Sequence, residues 1–282
     1  MEQRMAKKLT ACILSVSMVF GGMAAGVPKE AQAAAKKSVT VTEQAELNQA
    51  LKSSRVSKIT VKTKKAVSLT VKKGDYKDKT LVLSGKKITL QNTGRFQKIS
   101  IHDAKQFTEK ASNNTFSVTD PNTLKLTADK NAKISEVRLN SRSEKVVIAA
   151  DGQVRSLAVN SAGSCVLKGS TKKTVAVKVA SAGKGAKVKL AVPSFVKSNA
   201  NATITASAGA EGAVIQAMHA GVKVSVINGS KGNITLMDAN GNQKKLTSGK
   251  RAFSTDLASD AKNKQNKVTF DLNYDTAGAR QT

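Results

Sequence analysis

The sequence predicts an all-β fold, a parallel β-helix (β-solenoid) of about 20 residues per coil, opened by a short N-terminal capping helix. Three observations predict it. Apolar-x-apolar triplets recur along the chain, alternate triplets return every 18 to 20 residues, and aromatic residues make up 3% of the sequence. Alternation at period two is a strand signal, and a repeat near that length built of short strands and turns marks stacked coils. A core so poor in rings must be narrow and filled by Val, Ile, Leu and Ala. The competing architecture is an antiparallel β-sandwich, which also spaces short strands regularly.

Residues 1–33 read as a secretory signal peptide. Arg4, Lys7 and Lys8 form a positive head, an apolar run extends from Ala11 to Val27, and Ala31-Gln32-Ala33 supplies small residues for cleavage. Cleavage is expected after Ala33, with Ala35 as the alternative. The apolar run is shorter than the roughly 20 residues of a membrane span. Cys12 precedes the apolar body, so Leu9-Thr10-Ala11-Cys12 is no lipobox, and the chain ends in a polar run up to Thr282. The expectation is a secreted chain with no transmembrane segment after processing.

Residues 34–58 form an N-terminal segment carrying the capping helix. Thr42 is the expected cap, Glu43 and Glu46 sit in the first turn, and Ala45, Leu47, Ala50 and Leu51 form the apolar face. A helix there would cover the open end of the first coil, whose unpaired N–H and C=O groups otherwise invite aggregation.

Residues 59–250 form the solenoid. Its triplets run from Ile59-Thr60-Val61 to Ile234-Thr235-Leu236, separated by turn formers such as Ser84-Gly85, Asn92-Thr93-Gly94, Asp151-Gly152 and Asn228-Gly229. Leu69 to Ile88 is 19 residues, Leu81 to Ile99 is 18, Val137 to Leu157 is 20, Leu157 to Val175 is 18 and Val146 to Cys165 is 19. Between Asp103 and Lys133 the regularity weakens, which suggests an insertion or a longer coil. Residues 251–282 are a C-terminal cap and irregular tail, with one further strand at Val268–Leu272.

The run Val41-Thr42-Glu43-Gln44-Ala45-Glu46-Leu47 through Ile59-Thr60-Val61, and that from Gly74-Asp75-Tyr76 through Asn92-Thr93-Gly94-Arg95-Phe96 to Ile99-Ser100-Ile101, resemble secreted or cell-surface right-handed parallel β-helix (pectin-lyase-like) proteins of Gram-positive anaerobes. The resemblance covers residues 38–250. It implies the fold, and it implies a family holding polysaccharide lyases and hydrolases beside members without activity, so function must be argued from a site.

Chemistry is sparse. Asp75 and Asp78 share a turn, but Lys72, Lys73, Lys77 and Lys79 surround them, and a hard cation wants several oxygens together. The paired aspartates and Gly-His-Gly segment of related hydrolases are missing, so no carboxylate pair serves glycoside hydrolysis. His102 and Asp103 adjoin but point to opposite faces of a strand, and His219 lies in a turn. Tyr76, Phe96, Phe107 and Phe116 are too few for sugar stacking and read equally as core or end cap. Cys165, in Cys165-Val166-Leu167, reads as a small core residue. No catalytic residue, metal ligand set or cofactor is expected; an enzyme is not the leading reading.

Charge remains. Lys and Arg number 47 against 19 Asp and Glu, and removal of residues 1–33, with four basic and two acidic side chains, leaves +26 on 249 residues. Lysine accounts for 39 of the 47 basic residues, which suits diffuse attraction better than stereospecific reading. The doubled lysines Lys64 and Lys65, Lys72 and Lys73, Lys86 and Lys87, and Lys172 and Lys173 fall at turns and are the candidate polyanion-binding residues; Lys244 and Lys245 form a further pair. Equivalent positions on neighbouring coils stack about 4.8 Å apart, and like charges so placed repel unless an anion screens them. Lysines at turns also keep an exported protein soluble. The leading expectation is an exported, non-catalytic β-helix protein associating with an anionic cell-wall polymer or acidic polysaccharide. The alternative is a diverged lyase or hydrolase of an acidic polysaccharide, and nucleic acid would be bound only through phosphate, without specificity.

Overall fold

The computed structural model describes residues 36–119, 121–141, 145–160, 163–180, 185–218, 222–256 and 268–271. The signal-peptide reading of residues 1–33 and the turn at His219 lie outside them.

These residues build a β-solenoid of about nine turns. From β2 to β20 the even-numbered strands form one sheet and the odd-numbered strands the other. In chain order the first part holds β1 (Lys37–Val41), α1 (Gln44–Lys52), β2 (Val56–Lys62), β3 (Val67–Val71), β4 (Asp75–Ser84), β5 (Ile88–Asn92), β6 (Arg95–Asp103), β7 (Gln106–Glu109), β8 (Thr115–Val118) and β9 (Leu124–Ala128). The middle part holds β10 (Lys133–Leu139), β11 (Val146–Ala150), β12 (Gln153–Val159), β13 (Ser164–Lys168), β14 (Val175–Val179), β15 (Ala186–Ala191), β16 (Ser194–Ser198) and β17 (Ala202–Ala206). The last part holds β18 (Val214–Ala217), β19 (Val224–Asn228), β20 (Ile234–Met237), β21 (Gln243–Leu246), β22 (Arg251–Asp256) and β23 (Val268–Asp271).

One sheet runs β1-β2-β4-β6-β8-β10-β12-β14-β16-β18-β20-β21 and the other β3-β5-β7-β9-β11-β13-β15-β17-β19-β22-β23. Each coil thus contributes one strand to each sheet and turns at two edges. Pairing is parallel from β1 to β20, and the antiparallel β21, β22 and β23 end the stack. The sandwich is excluded, because its sheets pair antiparallel throughout.

Period two explains the core. Ile59, Leu81, Ile99, Phe116, Val137, Leu157, Val177, Val196, Ile215 and Leu236 are successive register partners and all are buried. Each such side chain contributes about 1.5–3 kcal/mol on burial. Phe107 and Phe116 lie wholly inside, edge to face at 5.1 Å, where the two sheets meet.

Four expectations need correction. The solenoid begins before residue 59, since β1 already pairs in parallel with β2. Thr42 does not cap the helix: Glu43 is the N-cap, without a side-chain cap bond, and the Thr42 N–H and hydroxyl donate to Glu46 at 2.6 and 3.0 Å. Those bonds hold the Glu46 carboxyl below its usual range. Asp103–Lys133 is no insertion, because β7, β8 and β9 continue both sheets in register. The tail also starts with order, as β22 pairs with β19. The capping helix itself is present. It buries Leu47, Ala50 and Leu51 and occupies, between β1 and β2, the place an odd strand takes in later coils.

Candidate polyanion-binding surface

Whether a turn faces one edge or the other depends on strand parity. The segments β2–β3, β4–β5 and β6–β7 turn at the even-to-odd edge. Lys64, Lys65, Lys86 and Lys87 lie there, all exposed, with Lys62 and Lys105 beside them. Lys62, Lys64, Lys86, Lys87 and Asp103 line a shallow groove of about 690 Å³.

The segments β3–β4, β5–β6, β7–β8, β9–β10, β11–β12 and β13–β14 turn at the opposite, odd-to-even edge. Lys72, Lys73, Lys172 and Lys173 lie on this one, also exposed. The eight sequence-nominated lysines are therefore divided four and four between two edges. Lys64 and Lys72, only one strand apart, lie on opposite sides of the molecule.

Sequence reading missed the residues that join Lys72 to Lys172. Arg95, Lys110, Lys130 and Lys133 are exposed at the intervening turns of the odd-to-even edge. Five of six consecutive turns thus carry a basic residue, the exception being Asp151-Gly152. Five steps of about 4.8 Å give a track of about 24 Å. Two grooves mark it. One, of about 660 Å³, is lined by Lys73, Arg95 and Lys110 with Asp75; the other, of about 370 Å³, by Lys130, Lys133, Lys172 and Lys173 with Asp151. Counting strands between lysines, rather than looking for doubled ones, would have found the joining residues.

Tight stacking keeps this edge regular. At Gly152 an added Cβ would lie 2.0 Å from the Asp129 carbonyl oxygen of the neighbouring coil, so only glycine fits. Inside the same edge, Asn92, Glu109 and Asn114 form a buried cluster. Asn92 donates to both Glu109 oxygens at 3.0 Å, Asn114 donates at 2.9 Å, and the Ala111 N–H donates at 2.7 Å. Burial, partly offset by these bonds, pushes the Glu109 carboxyl up to about 7. Glu109 is buried and lines neither of the two grooves on this edge.

Other chemistry is dispersed. Asp75 pairs with exposed Lys77 at 3.1 Å, but Asp75 and Asp78 lie on β4 and not in the turn that the sequence suggested. Lys79 differs: it is buried and donates to the Ser53 and Val56 carbonyls at 2.8 and 2.7 Å, tying β4 to the end of α1. His102 Nδ1 lies 2.7 Å from the Thr119 hydroxyl, whereas Asp103 accepts from Asn122, so the two do not cooperate. Phe96, Phe107 and Phe116 are core, and Tyr76 stacks tilted on Phe96 at 5.2 Å. Cys165 is buried, and burial pushes its thiol up to about 12. Among the described residues no His, Cys, Asp and Glu cluster could hold a metal ion, and no helix is long and apolar enough to cross a membrane.

Comparison with protein-family models, with curated proteins and with solved structures finds no match for the chain.

Proposed function

We propose that this chain is an exported, non-catalytic β-solenoid that associates electrostatically with an anionic polymer of the cell envelope or with an acidic extracellular polysaccharide. The observation that carries the proposal is the odd-to-even edge, where Lys72, Lys73, Arg95, Lys110, Lys130, Lys133, Lys172 and Lys173 come from stacked turns. A polymer with repeating negative charge lies along such a track, and each contact releases counterions. Lysine-rich contacts act as point charges and select charge density rather than sugar stereochemistry.

Two supporting features act together. A net charge of +26 on the processed chain raises the local concentration of any polyanion. The dispersion of carboxylates along the chain leaves the track without a general acid and base pair, which argues for binding rather than cleavage. In a Gram-positive host, to which the pectin-lyase-like resemblance points, teichoic acids of the wall fit the charge requirement.

The test is retention on intact cells. Washing with rising salt should release the protein progressively, with most freed well below molar salt. Retention in molar salt would overturn the proposal.

A further inference from the structure

Charge is unevenly distributed along the solenoid. Between Asp151 and Glu211 the sequence has no Asp or Glu, yet it holds Arg155, Lys168, Lys172, Lys173, Lys178, Lys184, Lys187, Lys189 and Lys197. The stretch spans β12 to β17, three stacked coils, about 14 Å along the axis. All of these basic residues except Lys184, which lies outside the described residues, are exposed.

Among the described residues they cover both faces and one edge of those coils. Lys178 on β14 and Lys197 on β16 are register partners on the outer face of the even sheet. Lys168 on β13 and Lys187 and Lys189 on β15 face outward from the odd sheet, alternating with buried Leu167, Val188 and Leu190. Lys172 and Lys173 join the two faces at the edge already described. The track and this band therefore cross at Lys172 and Lys173.

The two differ in what surrounds the ammonium groups. The track carries Asp75, Asp129 and Asp151 among its turns, and a carboxylate there repels a polyanion. The band has no carboxylate in its own sequence, and Asp151 borders it at the groove beside Lys172 and Lys173. Lys178 and Lys197, directly opposed on neighbouring strands, repel each other. The Lys197 ammonium lies 5.5 Å from the Phe195 ring centroid, a weak contact that leaves the charge uncompensated.

Resting on the polyanion reading above, we infer that the carboxylate-free band of β12–β17 is the principal contact, and that a phosphate-backbone polymer crosses the solenoid there, passing from Lys178 and Lys197 over the Lys172–Lys173 edge to Lys168, Lys187 and Lys189. The axial track guides the chain toward this crossing. Screening the Lys178–Lys197 opposition makes binding stabilise the fold.

The test compares two triple variants of the full chain with equal charge change, Lys178→Gln/Lys189→Gln/Lys197→Gln in the band and Lys72→Gln/Lys73→Gln/Lys110→Gln on the track. The probe is a soluble poly(glycerol phosphate). The band variant is expected to bind about a hundredfold more weakly, at roughly fivefold per lysine, and the track variant about tenfold or less. All the substituted side chains are exposed, so both variants keep the wild-type circular dichroism. The free band variant melts higher than wild type, and its melting temperature rises less on adding polymer. Equal losses in the two variants would overturn the band while leaving net attraction intact. A wild-type chain that does not bind the polymer at all would overturn the polyanion reading and the band with it.

Discussion

The side-chain amide of Gln44 pairs with the main chain of Thr70 as a neighbouring strand would. Its Nε2 donates to the Thr70 carbonyl at 2.9 Å, and its Oε1 accepts from the Thr70 N–H at 2.7 Å. Thr70 sits on β3, the edge strand of the odd sheet, so one residue of α1 blocks a position where another chain could add. Gln44→Ala should cost about 1 kcal/mol in urea-induced unfolding and increase concentration-dependent association in light scattering. Gln44→Glu keeps the acceptor, loses the donor and should fall between the two.

Glu109 gives the fold a pH dependence whose sign is fixed. Its ordinary value is 4.5 and burial raises it to about 7 in the folded chain. The folded state therefore holds the proton more tightly than the unfolded state. Its contribution is complete below pH 4.5, declines as pH rises through 4.5 to 7, and is gone above. At about 1.4 kcal/mol per unit the full swing is about 3 kcal/mol. Subtracting the urea-unfolding profile of Glu109→Gln from that of wild type should isolate this decline. A flat difference would show that the donors from Asn92, Asn114 and Ala111 fully offset burial.

Gly152 and Gly241 separate crowding from backbone strain. Gly152→Ala drives a methyl group against the Asp129 carbonyl and should destabilise by about 1–3 kcal/mol. Gly241 has a φ of +87° and nothing within 4 Å of an added Cβ, so Gly241→Ala meets only the left-handed backbone cost of about 1 kcal/mol. Calorimetric melting of both variants checks the order.

Lys79 is a structural lysine, unlike its exposed neighbours. Lys79→Met removes the ammonium from the Ser53 and Val56 carbonyls and should cost about 2–3 kcal/mol, within the range for hydrogen bonds to charged groups. Lys77→Met, which breaks only an exposed ion pair, should change stability by less than about 1 kcal/mol. Chemical denaturation of the two variants distinguishes them.

Much of the fold was legible because alternation writes the interior directly into the chain. Leu81 and Ile99, Val137 and Leu157, and Val146 and Cys165 are register partners at the spacings read from sequence. Leu69 pairs with Leu90 rather than Ile88, and Leu157 with Val177 rather than Val175. Both slips are of two residues, which keeps every side chain on its face, so pattern alone cannot detect them. The Asp103–Lys133 stretch was misread because Glu109 takes an interior position, between Asn92 and Ala128, that an aliphatic residue would otherwise mark. The candidate surface was only half legible. Exposure of the doubled lysines follows from their turns, but their edge follows from the number of strands between them, and Arg95, Lys110, Lys130 and Lys133 carry no local mark.

The most direct test of the electrostatic account is the dissociation constant of the full chain for poly(glycerol phosphate), measured across a salt series. The account requires the logarithm of affinity to fall linearly with the logarithm of salt, at a slope of about 0.7 for each phosphate neutralised on a flexible strand. Affinity that stays constant as salt rises would contradict it.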